Sequence, residues 1–165
     1  MFSGIKRIMV SLGRMRELIL ESVNLQVPRG QVSIPRHQMP QIEKKYYPEY
    51  FDLLNLRGVE VTRMNIPADR LRAAQEEIDS EKVLKWSKSM PKGALEKPCI
   101  VSKDFYVLDG NHTWLAQLHQ NSRSKIDCYQ VDLGIHDLIN ITKLFDKVTN
   151  KTVKEEFKGE NNVVF

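Results

Sequence analysis

The sequence predicts an α+β domain, a small mixed sheet with packed helices, preceded by a helical N-terminal extension. Three observations lead there. Apolar and polar residues alternate over Val59–Ile66 and again over Lys125–Val131, the period of a half-buried strand. Two β-type runs, Cys99–Val101 and Phe105–Leu108, are separated by Ser102-Lys103-Asp104, the spacing of a tight hairpin. Elsewhere the apolar period is helical, most plainly at Leu138, Ile141, Leu144, Phe145 and Val148.

Taken in order, Ile5, Ile8, Met9, Leu12, Met15 and Ile19 predict an amphipathic helix over residues 5–21. Pro28, Gly30 and Pro35 then mark a connector. The stretch from Ile34 to Ile42 is short, polar and bounded by Pro35 and Pro40, and its residue types suit reaching into a site or simply linking elements. A helix is expected from Glu43 to Leu56, stopped by Gly58. After the Val59–Ile66 strand, Leu71–Ile78 is short and charged. Ser80 reads as an N-cap, with Glu81 in the first turn of a helix running to Met90. On that helix Val83, Trp86 and Met90 share a face. Pro91, Gly93 and Pro98 bracket a loop before the hairpin. Beyond it Trp114, Leu115 and Leu118 line one face of a helix, followed by the Lys125–Val131 strand and the last helix. These patterns divide the chain into a basic extension (residues 1–57), the α+β domain (58–148) and a polar tail (149–165).

The 165 residues suffice for one core, and 41% hydrophobic with 28% charged residues is an ordinary globular balance. No apolar run approaches the roughly 18 residues of a membrane span. The start of the chain, broken by Gly13, Arg14, Arg16 and Glu17, lacks a signal-peptide core. A cytoplasmic protein without membrane contact is the expectation. Cys99 and Cys128 sit in apolar runs and read as buried thiols, and no histidine has zinc-type spacing with them. The formal charge of +4 is concentrated in residues 1–40, where Lys6, Arg7, Arg14, Arg16, Arg29 and Arg36 face only Glu17 and Glu21. A basic arm on a neutral body suits an anionic partner such as DNA, or a solvated helix face.

The segment richest in chemistry is Leu108-Asp109-Gly110-Asn111-His112-Thr113, at a strand-to-helix junction. Glycine permits a sharp turn there. The helix that follows would present unpaired N–H groups, an arrangement that attracts phosphate. Asp109 suits a divalent cation or a helix cap. His112 suits a phosphate contact or a proton relay. The same residues also make an ordinary turn and N-cap.

The block from Leu71 to Asp132 resembles the ParB/sulfiredoxin superfamily. The resemblance rests on Leu71–Asp79 with its acidic residues, the Ser80–Met90 helix, Pro98-Cys99-Ile100-Val101, the Asp109-Gly110-Asn111-His112-Thr113 box and the Lys125–Asp132 strand. Sulfiredoxins carry a nucleophilic cysteine where this chain has Asn111, so their thiolate chemistry is not expected. The free-serine-kinase branch implies a phosphoryl-transfer enzyme that binds ATP or another nucleotide with Mg²⁺. By that resemblance Glu77 or Glu76 is the general base, Glu77 being favoured because it shares a face with Gln75 in an extended run. Asp109 and His112 then serve metal and phosphate, and Gly110, Asn111 and Thr113 complete the phosphate cradle. The partition-protein and nuclease branch implies DNA binding instead, with or without cleavage. Only about 30 residues follow Asp132, too few for the helix-turn-helix domain of partition proteins, and a non-catalytic binding module is a further reading.

One departure bears on affinity. Where the superfamily box has arginine, this chain has Thr113, which offers one hydroxyl in place of a bidentate cation. Arg36, Arg63, Arg70 and Arg72 are the candidates to replace it. Arg36, His37 and Arg72 are the candidate substrate or nucleic-acid contacts. Trp114, which follows the box, suits stacking on a base or packing in the core, the core being favoured, and Trp86 is expected in the core. Tyr46, Tyr47 and Tyr50 beside Lys44 and Lys45 suit either nucleic acid or a helix-docking seam.

Overall fold

The computed structural model describes residues 25–150 and 163–164. The helix expected at residues 5–21 and most of the polar tail lie outside them. In chain order the elements are β1 (Arg29–Ile34), β2 (Pro40–Gln41), α1 (Tyr47–Leu56), β3 (Val61–Pro67), β4 (Arg72–Gln75), β5 (Glu77–Ile78) and α2 (Ser80–Lys88). They continue with β6 (Cys99–Ser102), β7 (Tyr106–Asp109), α3 (Asn111–Gln120), β8 (Lys125–Val131), α4 (Ile135–Thr142), β9 (Thr149–Asn150) and β10 (Val163–Val164). Six strands form one mixed sheet in the order β1-β4-β7-β6-β8-β3. β1, β4 and β7 run parallel, β7 and β6 form the antiparallel hairpin, β6 and β8 are parallel, and β3 closes the edge antiparallel to β8. The α+β class is therefore correct at this level.

The central strands read as almost continuous apolar runs because both faces of the sheet are covered. Their side chains alternate between two cores. Ala74, Ile100, Tyr106, Leu108 and Val131 face α1 and α4, together with Tyr47, Tyr50, Leu54, Ile135 and Leu138. Ala73, Cys99, Val101, Val107 and Cys128 face α2 and α3, together with Val83, Trp114 and Leu115. Three layers result, with the sheet in the middle.

Several expectations are adjusted by local chemistry. Residues 29–57, grouped by pattern with the extension, are built into the domain: β1 pairs with β4, and α1 supplies three buried residues to the core. Helix α1 starts only at Tyr47, after a 3-10 turn at Lys44–Tyr46, and has a proline in its first turn. It ends in a Schellman motif. Gly58 has φ +76° and donates to the Asn55 carbonyl at 3.0 Å, while Val59 N–H reaches the Leu54 carbonyl at 2.9 Å. The N-cap of α2 is Asp79 rather than Ser80, since Asp79 Oδ1 accepts from Lys82 N–H at 3.0 Å. Ser80 is buried as the first helical residue, and the helix stops at Lys88 rather than Met90. The final helix ends at Thr142, so Leu144 is 61% exposed rather than part of the buried stripe, and Ile139 takes a core position. The charged run Leu71–Ile78 is two short strands, and Gln75 Nε2 donates to the Glu77 carbonyl at 2.7 Å across the break between them.

The tyrosines resolve as a seam. Tyr47 and Tyr50 are buried and pack with Phe51, Tyr129 and Phe145, with ring centroids between 4.5 and 5.9 Å apart. Tyr47 O–H donates to the Pro98 carbonyl at 2.9 Å, and burial pushes its phenol well above the usual range. Tyr50 shares a 2.7 Å hydrogen bond with Thr142 Oγ1, which ties α1 to α4.

Candidate anion-binding site

Strand β7 ends at Asp109, Gly110 turns the chain with φ +102°, and α3 begins at Asn111. A Cβ at Gly110 would stand 2.6 Å from Cys99 Sγ, so only glycine lets the turn lie this close to β6. Trp114 fixes α3 in place: it is fully buried, as expected for a core residue, and its Nε1–H donates to the Ala68 carbonyl at 2.9 Å. The first turn of α3, whose leading N–H groups have no partner within the helix itself, is therefore held in a fixed position.

That turn opens into a cleft of about 390 Å³. Asp109, Gly110, Asn111, His112 and Thr113 form one wall, so the whole box is brought together as expected. Arg36, Lys82, Lys92 and Lys97 also line the cleft, and among the described lining residues Asp109 is the one acid. The N-terminal end of a helix, Arg36, Lys82 and Lys92 act in the same direction, favouring an anion, while the charge of Lys97 is met by Asp109.

Of the four arginines proposed to replace the box cation, Arg36 alone lines this cleft. It is 2% exposed, held by the 3-10 turn Arg36–Gln38 between the two prolines. Arg63 pairs with Asp127 at 2.7 Å on the exposed face of β3 and β8, holding that carboxyl below its usual range. Arg70 lies over the Phe105 ring at 4.8 Å, and Arg72 is exposed at the start of β4. His37 is exposed and does not line the cleft.

The segment 35–42 is a strap tied at both ends to carboxylates. Arg36 N–H donates to Glu77 Oε2 at 2.7 Å, and Ile42 N–H donates to Asp109 Oδ2 at 3.3 Å. Glu77 thereby lies one hydrogen bond from a cleft-lining residue. The Glu76 carbonyl accepts from Arg29 Nη2 at 2.7 Å, and burial lowers the Arg29 pKa against the charges of Glu76 and Glu77, which raise it. The acidic segment also meets the box directly, because Asp79 N–H donates to His112 Nε2 at 3.1 Å. A ring that accepts at Nε2 carries its proton on Nδ1, which suits donation more than a two-nitrogen relay.

Asp109 is 5% exposed, and Lys97 Nζ stands 3.0 Å from its Oδ2. The carboxylate assigned to Mg²⁺ from sequence is thus the counter-ion of Lys97. No group of three or more His, Cys, Asp or Glu is arranged to hold a metal among the described residues. Cys99 lies beneath the turn, its Sγ 3.5 Å from the Gly110 carbonyl. Its interaction with Cys128 and its burial both push the thiol well above its usual range, and both cysteines are free and buried. This is inert thiol chemistry, as the sequence implied.

Four contributors were not legible in the sequence. Lys82, Lys92 and Lys97 come from α2 and from the loop before β6, and nothing in their local spacing signals convergence. Trp86, expected in the core, is half-buried in the cleft wall with Lys82 Nζ 4.6 Å from its ring centroid. Of the basic arm, Lys6, Arg7, Arg14 and Arg16 lie outside the described residues. Arg29 spends its guanidinium on the Gln75 and Glu76 carbonyls.

No family model, curated protein or solved structure gives a significant match to the chain. No helix among the described residues is long and apolar enough to cross a membrane.

Proposed function

We propose that this chain is a nucleotide-binding phosphoryl-transfer enzyme on a ParB/sulfiredoxin-like fold. The observation that carries the reading is one cleft in which Arg36, Lys82 and Lys92 share the lining with the N-terminus of α3, Lys97 being paired with Asp109. Phosphoryl transfer asks a protein chiefly for charge neutralisation and positioning, and this cleft supplies both. Arg36 takes the part that Thr113 leaves vacant. A half-buried tryptophan in the same wall favours a nucleotide over inorganic phosphate, since a base can stack on Trp86.

In this reading the β- and γ-phosphates sit on the N–H groups of α3, and His112 donates from Nδ1. Glu77 accepts the proton of the incoming hydroxyl. The hydroxyl oxygen bonds to the terminal phosphorus as the bond to the bridging oxygen breaks, and a nucleoside diphosphate leaves. The Arg36 N–H bond to Glu77 Oε2 orients the carboxylate for that role. Mg²⁺ would enter as a companion of the phosphates, with Asp109 as the carboxylate beside it.

The test pairs binding with turnover. ATP or ADP raises the melting temperature of the wild type, and Lys92→Ala weakens nucleotide affinity several-fold. Glu77→Gln keeps affinity and lowers nucleotide turnover by roughly 100-fold or more. Unchanged turnover in Glu77→Gln removes the catalytic reading, and duplex DNA that displaces nucleotide in a steeply salt-dependent way favours the DNA-binding one.

A further inference from the structure

Asn111 is the first residue of α3, lies in the cleft wall, and is 1% exposed. Neither its Nδ2 nor its Oδ1 finds a hydrogen-bond partner among the described residues. Buried amides are almost always paired, and one left dry is unfavourable in the empty protein. The amide is already desolvated, so a ligand group that reaches it gains the hydrogen bond without stripping water from the protein.

The two atoms ask for different things. Nδ2 donates and is satisfied by a phosphate oxygen. Oδ1 accepts, and a phosphate dianion has no proton to give it. A ligand that satisfies the whole side chain must therefore carry a donor close beside its anionic group. A hydroxyl is both donor and acceptor, and in a ribonucleotide the ribose hydroxyls lie within a few bonds of the phosphate. We propose that Asn111 is a specificity-determining residue that reads a ribose hydroxyl, so that the site selects ribonucleotides over sugar-deoxygenated nucleotides and over bare pyrophosphate. This rests on the nucleotide reading above and deepens it. The backbone of Asn111 serves the phosphate as part of the helix N-terminus, while its side chain serves the sugar.

The experiment compares ADP, 2′,3′-dideoxy-ADP and pyrophosphate by calorimetric titration of the full chain, wild type and Asn111→Ala. The wild type is expected to prefer ADP over the dideoxy compound by roughly tenfold or more. Asn111→Ala is expected to bring that ratio to about one by lowering ADP affinity, while its own melting temperature without ligand falls no lower than that of the wild type. That last readout separates recognition from a structural role, which predicts a lower melting temperature. Equal wild-type affinity for ADP and its dideoxy analogue overturns the inference and leaves the nucleotide reading standing. So does an undiminished preference in Asn111→Ala. Absence of ADP binding to the wild type overturns both. The wild-type comparison needs no variant to fold.

Discussion

Gly110 adopts φ +102° in contact with Cys99, and two separate costs attend any side chain there. The left-handed backbone alone costs an L-residue about 1–2 kcal/mol. The Cβ would also stand 2.6 Å from Cys99 Sγ and 3.3 Å from Cys99 Cα. Sulfur can be removed, whereas the β6 backbone cannot. Gly110→Ala is therefore expected to lose roughly 2–4 kcal/mol in denaturant melts. Adding Cys99→Ala should recover about 1 kcal/mol relative to the sum of the single changes. Strict additivity would mean that the close approach to Cys99 is not what requires glycine. This residue-level detail was half visible in advance. The Asp-Gly pair announces a turn, but the cysteine that forbids a methyl group is eleven residues away and belongs to a neighbouring strand.

At the scale of elements, α2 shows how a cap serves the site as well as the helix. Asp79 uses its side chain to hold Lys82 N–H and its own N–H to hold His112 Nε2. One residue thus starts the helix that carries Lys82 and Trp86 and orients the box histidine. Asp79→Ala should cost about 1 kcal/mol through loss of the cap, while Asp79→Asn or Asp79→Ser keeps most of it. Because the His112 contact is made by backbone, the alanine variant is expected to weaken ligand binding only as far as it frays α2. A full loss of stability equal to that of a core truncation would contradict this account. The β8 strand and the β6–β7 hairpin were legible because alternation and a short polar turn are local signals. The N-cap was misplaced by one residue because Asp79 and Ser80 are both good caps, and the choice is decided by Ser80 fitting into a buried site. The three lysines of the cleft were not legible at all, since convergence of a helix and a loop is tertiary information.

For the whole molecule, the alternation of strand side chains makes one sheet the shared wall of two cores. That arrangement separates the chromophores by face. Tyr47, Tyr50 and Tyr106 are buried in the core under α1 and α4, with Tyr46 and Tyr129 packed against it, which accounts for all five tyrosines of the chain. Trp114 belongs to the opposite core and Trp86 to α2 on that side, which accounts for both tryptophans. Every central strand contributes to both cores, so neither face can lose its packing while the sheet keeps its own. Unfolding is therefore expected to be a single cooperative transition. Tryptophan fluorescence reports the α2–α3 face and the near-ultraviolet tyrosine dichroism reports the α1–α4 face, and their thermal midpoints should coincide. Leu108→Ala, on the tyrosine side, should shift both midpoints downward together, by an amount corresponding to roughly 2–5 kcal/mol. A shift confined to the tyrosine signal would show that the faces unfold independently, and the anion site on the tryptophan side would then survive damage to the other core.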